Sequence, residues 1–378
     1  MKIGFDAKRA LHNFRGLGNY SRTLIKSLDE HYSDNELYLF SPETKKKELL
    51  TWYQDLGDNA HLISPQGFIS SKVPSLWRSF KLTSEIEKNH IDIYHGLSHE
   101  LPIGIERVNA LKVVTIHDLL YLKFPQFFSA IDRFTYHKKF TYSCEKSDLI
   151  IAICEQTKAD IIEHYKVSPD KIHVVYQSCS PKFYYHKSID DLIRIKEKYK
   201  IQKPFIFHIA TMEENKNTLG ILKAYELIHS EVEEDLILIG RGKKYKQKVI
   251  QYIQEKNLSN RVRILDEAID EDLPAIFQLA KLFVFPSFYE GFGIPIIEAL
   301  FSKTPVVTSK GGCFPEAGGP NSRYVDPYDI KDISKGMLDI LRDEGLQKEM
   351  AQKGHEFVQK FHWKNTANDL MNLYTTHL

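Results

Sequence analysis

Several features that mark specialised chains are scarce or missing from these 378 residues. Only four cysteines occur, Cys144, Cys154, Cys179 and Cys313, and no two form a CxxC unit. Neither a zinc knuckle nor a disulfide framework is on offer, and the thiols read as reduced. Charge of one sign is not in excess: 51 Lys and Arg against 50 Asp and Glu leave +1. A nucleic-acid partner, which generally calls for a basic surplus, is therefore not expected. No run approaches the roughly 18 apolar residues of a membrane span. Lys2, Asp6, Lys8 and Arg9 leave no room for the apolar stretch of a secretory signal, so the expected location is cytoplasmic. His95 and His99 are four apart, but no HExxH exists and the extended run before them would not set both on one helical face, so a metal site there is not favoured. Low-complexity tracts and short-period repeats are also absent.

What remains is an ordinary globular mix, 42% hydrophobic and 27% charged, of a length that suits two domains. Short apolar runs alternate with longer amphipathic segments. The runs of the first half are 3–5, 37–40, 92–94, 112–116, 149–153 and 173–176, with helical spacing at 19–30, 71–89 and 156–164. The continuous LIIAI of 149–153 suits a strand buried on both faces of a parallel sheet. The pattern weakens over 178–200 and restarts with runs at 205–210, 236–239, 262–265, 282–285, 306–308 and 322–325. This β-α-β alternation predicts an α/β chain of two doubly wound, Rossmann-like parallel-sheet domains. The expected division is an N-terminal domain at 1–180, a linker at 181–202, a C-terminal domain at 203–355 and a return helix at 356–378 packing back across the joint. Two such halves facing each other would form a cleft at the carboxyl ends of their strands, where ligands of these sheets bind.

The most informative loop follows the run FVFP of 283–286 and reads SFYEGFGIPIIEAL over 287–300. Pro295 suits the first turn of a helix, whose free amides would carry about half a positive charge. Gly291 and Gly293 let backbone approach a ligand without a Cβ in the way. Glu298 is expected in the first turn, aimed at the cleft, with Glu290 in the preceding loop. That arrangement suits a sugar nucleotide: diphosphate at the helix start, one carboxylate on the ribose hydroxyls, the other beside the hexose. A glycine turn with Glu298 placed on the helix dipole fits the same residues.

The whole string EGFGIPIIE of 290–298 resembles the E-x7-E signature of the retaining family 4 glycosyltransferases, whose fold is the two-domain GT-B type. Other segments are similar to that family in its own order: Gly16-Leu17-Gly18-Asn19-Tyr20 to its N-terminal glycine loop, TIHDL of 115–119 to the strand ending in its site histidine, and DLIIAICEQT of 148–157 to its serine-x-x-serine/threonine passage. TPVVT of 304–308, Pro315-Glu316 and VDP of 325–327 match its closing elements.

The resemblance implies catalytic roles for His117, Glu290 and Lys216. It implies donor-binding roles for Gly16, Gly18, Lys216, Gly291, Phe292, Gly293, Ile294 and Glu298. Lys216, in MEENKNT of 212–218, matches the family lysine that meets the donor diphosphate; a cation at a helix start is otherwise disfavoured by the dipole. Two positions depart from the pattern. Asn215 stands where many relatives carry arginine, and Thr211 where others carry a second one, so the phosphate site is less basic, with Arg9, Arg15 or Arg241 as candidate helpers. As a dinucleotide fingerprint the N-terminal loop fails, because Ser21 holds the third glycine position. Gly240-Arg241-Gly242 looks like the loop near the nucleotide base.

Asp270-Glu271-Asp272 matches the D-x-D form that carries metal in a different glycosyltransferase fold. Directly before LPAIF of 273–277, Asp270 reads instead as a helix cap, so no metal and no cofactor is expected. Asp118 is expected to brace its loop. The aromatic-basic stretches at 76–81 and 124–144 suit either core plus solvated lysines or a peripheral membrane contact of the N-terminal domain.

The resulting expectation is a metal-independent retaining hexosyltransferase of polysaccharide biosynthesis. It would pass mannose from GDP-mannose to a hydroxyl of a glycan or lipid-linked glycan. The alternatives are a UDP-sugar (glucose-type) transferase, a non-catalytic nucleotide-sugar-binding subunit and a sugar-nucleotide epimerase.

Overall fold

The structure, a computed structural model, describes residues 1–65 and 77–378. The chain divides into two compact units, Met1–Cys179 with Phe361–Leu378, and Ser180–Lys360.

In the first unit seven strands form one sheet in the order β3-β2-β1-β4-β5-β6-β7, every pair parallel. They are β1 (Lys2–Asp6), β2 (Glu36–Phe40), β3 (Ala60–Ile63), β4 (Ile93–Gly96), β5 (Leu111–Ile116), β6 (Leu149–Ala152) and β7 (Ile172–Val174). Parallel strands buried on both sides need apolar residues at every position, and the core shows it. Leu149 and Ile151 join Ile3, Phe5 and Leu24 on one face, while Ile150 and Ala152 join Phe40, Tyr94 and Ile116 on the other.

Two elements were not legible as runs. β3 is an edge strand of sequence AHLI whose residues are all half-buried, and the helix Lys47–Gln54 carries one buried residue, Leu49. The helix expected over 71–89 falls partly outside the described residues; from Trp77 it is the turn Trp77–Lys81 followed by the helix Leu82–Lys88.

In the second unit six parallel strands follow the order β10-β9-β8-β11-β12-β13. They are β8 (Phe205–Ile209), β9 (Asp235–Ile239), β10 (Val262–Ile264), β11 (Leu282–Phe285), β12 (Val306–Ser309) and β13 (Arg323–Val325). The segment expected as a linker, 181–202, belongs to this unit and contains the helix Ile189–Lys198, capped by Ser188 accepting from the Asp191 amide. The helix itself buries only Ile195 and exposes Ile189 and Ile193, so it leaves little core pattern in the sequence, while Phe183, Tyr199 and Ile201 on either side of it anchor the segment.

The chain re-enters the first unit at Phe361. There the helix Trp363–His377 packs on the helix Gly16–His31. Ser27 Oγ donates to the Trp363 carbonyl at 2.9 Å, and Tyr32 OH to Asn368 Oδ1 at 2.8 Å. Tyr374 meets His95 Nδ1 at 2.6 Å inside the core. His95 Nε2 lies 2.7 Å from Thr115 Oγ1, so this histidine is a structural one satisfied at both nitrogens.

In both sheets the strand order reverses beside the first strand of the unit, β1 against β4 and β8 against β11. Loops leaving neighbouring strands in opposite directions open a crevice at such a point.

Candidate functional site

At the reversal of the second sheet, the loops after β8 and β11 supply Lys216 and Glu290. Lys216 ends the short 3-10 turn Glu214–Lys216. Its Nζ lies 2.8 Å from Oε1 and 2.7 Å from Oε2 of Glu290, with 17% and 14% of the two side chains exposed. The pair is therefore well shielded and charge-assisted.

The loop that carries Glu290 is braced from three sides. Phe288 N donates to the Asn215 carbonyl at 2.9 Å, and Ser309 Oγ donates to the Ser287 carbonyl at 2.6 Å. Cys313 Sγ donates to the Glu290 carbonyl at 3.3 Å, and the Phe288 ring stacks on Tyr328 at 4.7 Å. Asn217 Nδ2 donates to the carbonyls of both Pro286 and Pro327, at 3.1 and 2.8 Å. Asn217 was not singled out from sequence. Its signal is local: it sits at φ +56°, a conformation asparagine tolerates better than most residues. Asn215, at the position of the missing arginine, is buried and acts through its backbone. Behind the loop His208 bonds the Val284 carbonyl at 2.9 Å and Thr218 Oγ1 at 3.2 Å. Burial first, and then the Lys216 charge, lower its pKa to about 4.

The helix Ile294–Phe301 starts after Gly293, whose φ of +117° favours glycine, and has Pro295 in its first turn. Glu298 lies in the second turn, not the first as expected, because the helix opens at Ile294. It makes no side-chain hydrogen bond or ion pair among the described residues. Burial raises its pKa to about 8, with Lys182 opposing and Asp270 adding to the shift. Gly240 and Gly242 are required by packing: a Cβ on Gly240 would sit 2.0 Å from the Ala210 carbonyl oxygen, and one on Gly242 2.5 Å from Met212 Cβ.

The acidic triplet departs from expectation. Residues Asp270–Asp272 form a 3-10 turn that begins after Ile269, so Asp270 caps no helix; Asp272 precedes the helix Leu273–Leu279 without a side-chain cap bond. The two aspartates serve separate lysines. Asp270 pairs with Lys182, and Asp272 with Lys198 at 2.5 Å and Tyr199 OH at 2.6 Å.

In the first unit His117 follows β5 and is buried. Its Nε2 lies 2.8 Å from the Leu97 carbonyl, and its Nδ1 2.7 Å from Gln177 Nε2. The first contact needs an N–H on Nε2 and the second a lone pair on Nδ1, which fixes the neutral tautomer. Burial first, and then His99, lower its pKa to about 3. Tyr20 meets the ring edge-on at 4.6 Å, and Thr157 Oγ1 reaches the His117 carbonyl at 3.4 Å. Asp118 accepts from the Leu120 amide at 2.9 Å, which braces the loop.

Gly16 and Gly18 lie inside the first turn of the helix Gly16–His31, which begins three residues earlier than expected. They differ in surroundings. A Cβ on Gly18 would stand 1.8 Å from the Asn13 carbonyl oxygen, so this glycine answers to internal packing and not to a ligand; a Cβ on Gly16 would meet nothing within 4 Å.

The helix Ala130–Lys146 is exposed along 130–139, including Ile131 and Phe134, with Lys138 Nζ 4.6 Å over the Phe134 ring. Leu76 of the neighbouring aromatic-basic stretch lies outside the described residues. No helix among the described residues is long and apolar enough to cross a membrane.

Two family models cover most of the chain: "Glycosyltransferase Family 4" matches 14–181 and "Glycosyl transferases group 1" matches 190–357. The chain is 29% identical to O-antigen chain mannosyltransferase B of Escherichia coli, over 99% of each protein. Among solved structures it resembles sucrose-phosphate synthase from Thermosynechococcus elongatus, with TM-score 0.80, 19% identity and coverage of 100% of this chain and 98% of that one. It also resembles Anabaena HepE in complex with UDP-glucose, with TM-score 0.78, 17% identity and full coverage of both. These structural likenesses establish the GT-B fold.

Proposed function

We propose that this chain, which belongs to the family 4 glycosyltransferases, moves a mannosyl residue from GDP-mannose to a hydroxyl of a growing glycan, with retention of configuration and without a metal ion. The observation that carries the reading is the Lys216–Glu290 pair on the two loops at the strand-order reversal, where ligands of such sheets bind. Mannose as the donor sugar is supported by the mannosyltransferase relative that matches from end to end.

Lys216 would meet the diphosphate of the donor and offset charge growing on the leaving oxygen, taking the part a cation plays elsewhere. Glu290 would orient sugar hydroxyls once a phosphate replaces it on Lys216. The backbone of Gly291, Phe292, Gly293 and Ile294 would lie along the sugar and phosphate. Glu298 would accept the ribose hydroxyls. The anomeric C–O bond breaks with oxocarbenium character, and the departing phosphate oxygen takes the proton of the acceptor hydroxyl as the new C–O bond forms on the same face. His117, neutral and held at both nitrogens, would orient groups near the donor sugar and carry no proton. Gly16 is the member of the N-terminal glycine pair with space for a donor phosphate.

A lipid-linked acceptor would suit the exposed Ile131 and Phe134 beside Lys138, which offer a peripheral contact for a membrane surface. A UDP-sugar transferase is the second reading, favoured by the likeness to HepE, whose structure contains UDP-glucose. Thermal-shift measurements against GDP-mannose, GDP, UDP-glucose and UDP decide between them. Stabilisation by guanine nucleotides alone is expected, and stabilisation by uracil nucleotides alone overturns the donor assignment. Donor binding without nucleotide release in the presence of any glycan would reveal a non-catalytic binding subunit.

A further inference from the structure

Asn217 stands between Lys216 and the helix Thr218–Ile228, in the left-handed region at φ +56°. A glycine would serve that backbone at least as well, so the turn alone does not account for the side chain. The amide is buried, and its two N–H groups go to the Pro286 carbonyl at 3.1 Å and the Pro327 carbonyl at 2.8 Å. Both prolines are buried and lie on different loops: Pro286 follows β11 and precedes Glu290, and Pro327 follows β13. In the sheet β11 and β12 separate β8 from β13, so one short side chain reaches across the ends of four adjacent strands. On the other side of Lys216, the Asn215 carbonyl accepts from Phe288 N at 2.9 Å. The backbone is thus anchored on both sides of Lys216 to the loop that carries Glu290.

The following helix leaves room for this amide. A Cβ on Gly220 would stand 2.2 Å from Asn217 Oδ1 and 2.8 Å from its Nδ2. Glycine weakens a helix relative to alanine, so its presence in this first turn answers to the space that the amide occupies.

We propose that Asn217 is a positioning residue for the transfer step. Its amide holds the loops after β8, β11 and β13 in register, and so sets Lys216 against Glu290 and against the charge that grows on the leaving phosphate oxygen. Gly220 serves the same end by keeping the place of the amide open. The assignment rests on the transferase reading, and its test separates the two.

Rates are measured on the full chain with GDP-mannose as donor and methyl α-D-mannopyranoside as acceptor, below the melting temperature of every variant. Asn217→Gly keeps the left-handed turn and deletes both hydrogen bonds. Its kcat should fall about 10- to 100-fold, with donor KM changed by less than about 3-fold, because position matters most where charge develops. Gly220→Ala favours the helix and touches neither charge, yet it should lower kcat by about 10-fold by displacing the amide. Added to Asn217→Gly, the same substitution should cost no further rate and should raise the melting temperature, since the amide it would strike is gone. Added to Lys216→Ala, Asn217→Gly should lower kcat by less than about 2-fold more, whereas a merely structural role gives the full loss again. A parental rate in Gly220→Ala, or additive losses in either pair, overturns the assignment. Absence of transfer by the parent removes the transferase reading instead. The clamp is then judged in crystals of Gly220→Ala, where loss of the bidentate Lys216–Glu290 contact supports it and an intact contact overturns it.

Discussion

Lys216 and Glu290, 74 residues apart in the chain, meet as a bidentate ion pair at 2.8 and 2.7 Å. Each side chain therefore neutralises the other until an anion arrives. On the proposed function, a donor diphosphate would have to compete with the Glu290 carboxylate for the same ammonium, and its success would release Glu290 toward the sugar.

Glu290→Gln tests this competition. Removing the carboxylate should tighten binding of GDP about 3- to 10-fold by calorimetry at low salt, while transfer falls. Weaker or unchanged GDP binding would show that the pair is not displaced by phosphate. Lys216→Ala should lower turnover about a hundredfold or more. It should also cost about 1–3 kcal/mol of stability by leaving a shielded carboxylate unpaired.

Glu298 gives a pH test. Its pKa is raised by burial from 4.5 to about 8, so between these values the folded chain holds a proton that the unfolded chain has released. Stability contributed by this group is present below 4.5 and falls as pH rises toward 8. Glu298→Gln should melt higher than the parent at pH 8 and equally at pH 4. If ribose binds the carboxylate, nucleotide binding at pH 7 should release protons, measured by calorimetry in buffers of differing ionisation enthalpy. No proton release, with unchanged affinity in Glu298→Gln, would separate Glu298 from the ribose.

His95, His99 and His117 all have pKa values lowered from 6.5 to about 3 by burial, and His208 to about 4. Depressed histidines contribute stability that is present above 6.5 and lost as pH falls, at about 1.4 kcal/mol per pH unit for each. Melting temperature should fall steeply from pH 6.5 to 4. The ring signals of His117 should not titrate between pH 5 and 8; a midpoint near 6.5 would refute its fixed neutral tautomer.

The N-terminal glycine pair should separate by substitution. Gly18→Ala places a Cβ against the Asn13 carbonyl and should destabilise by about 1–3 kcal/mol. Gly16→Ala has open space in a helical first turn and should keep or slightly raise stability. If a donor phosphate approaches there, Gly16→Ala should weaken nucleotide binding without unfolding. Unchanged nucleotide affinity would leave Gly16 a simple helix start.

Much of the fold was legible because parallel strands buried on both faces write themselves as continuous apolar runs. LIIAI at 149–153 and FVF at 283–285 read directly as β6 and β11. The edge strand β3 and the helix Lys47–Gln54 escaped, since elements that bury little leave little pattern. The glycine loop at 16–20 was found, yet the helix starts at Gly16 and not near residue 19, and Gly18 lies inside it, where a Cβ would stand 1.8 Å from the Asn13 carbonyl oxygen.

The candidate site divides in the same way. Chain order alone placed Glu290, Gly293, Ile294 and Glu298 on one strand-to-helix passage, since a proline at a helix start and glycines before it are local signals. That Lys216 grips Glu290, that Asn217 holds the loop by two distant carbonyls, and that Gly220 leaves room for its amide were decided by tertiary structure. Local sequence fixes backbone propensity and periodicity. Which side chains share a shielded space depends on strand order, and strand order sets β8 beside β11, pairing Ile206 with Leu282, and β1 beside β4, pairing Ile3 with Ile93.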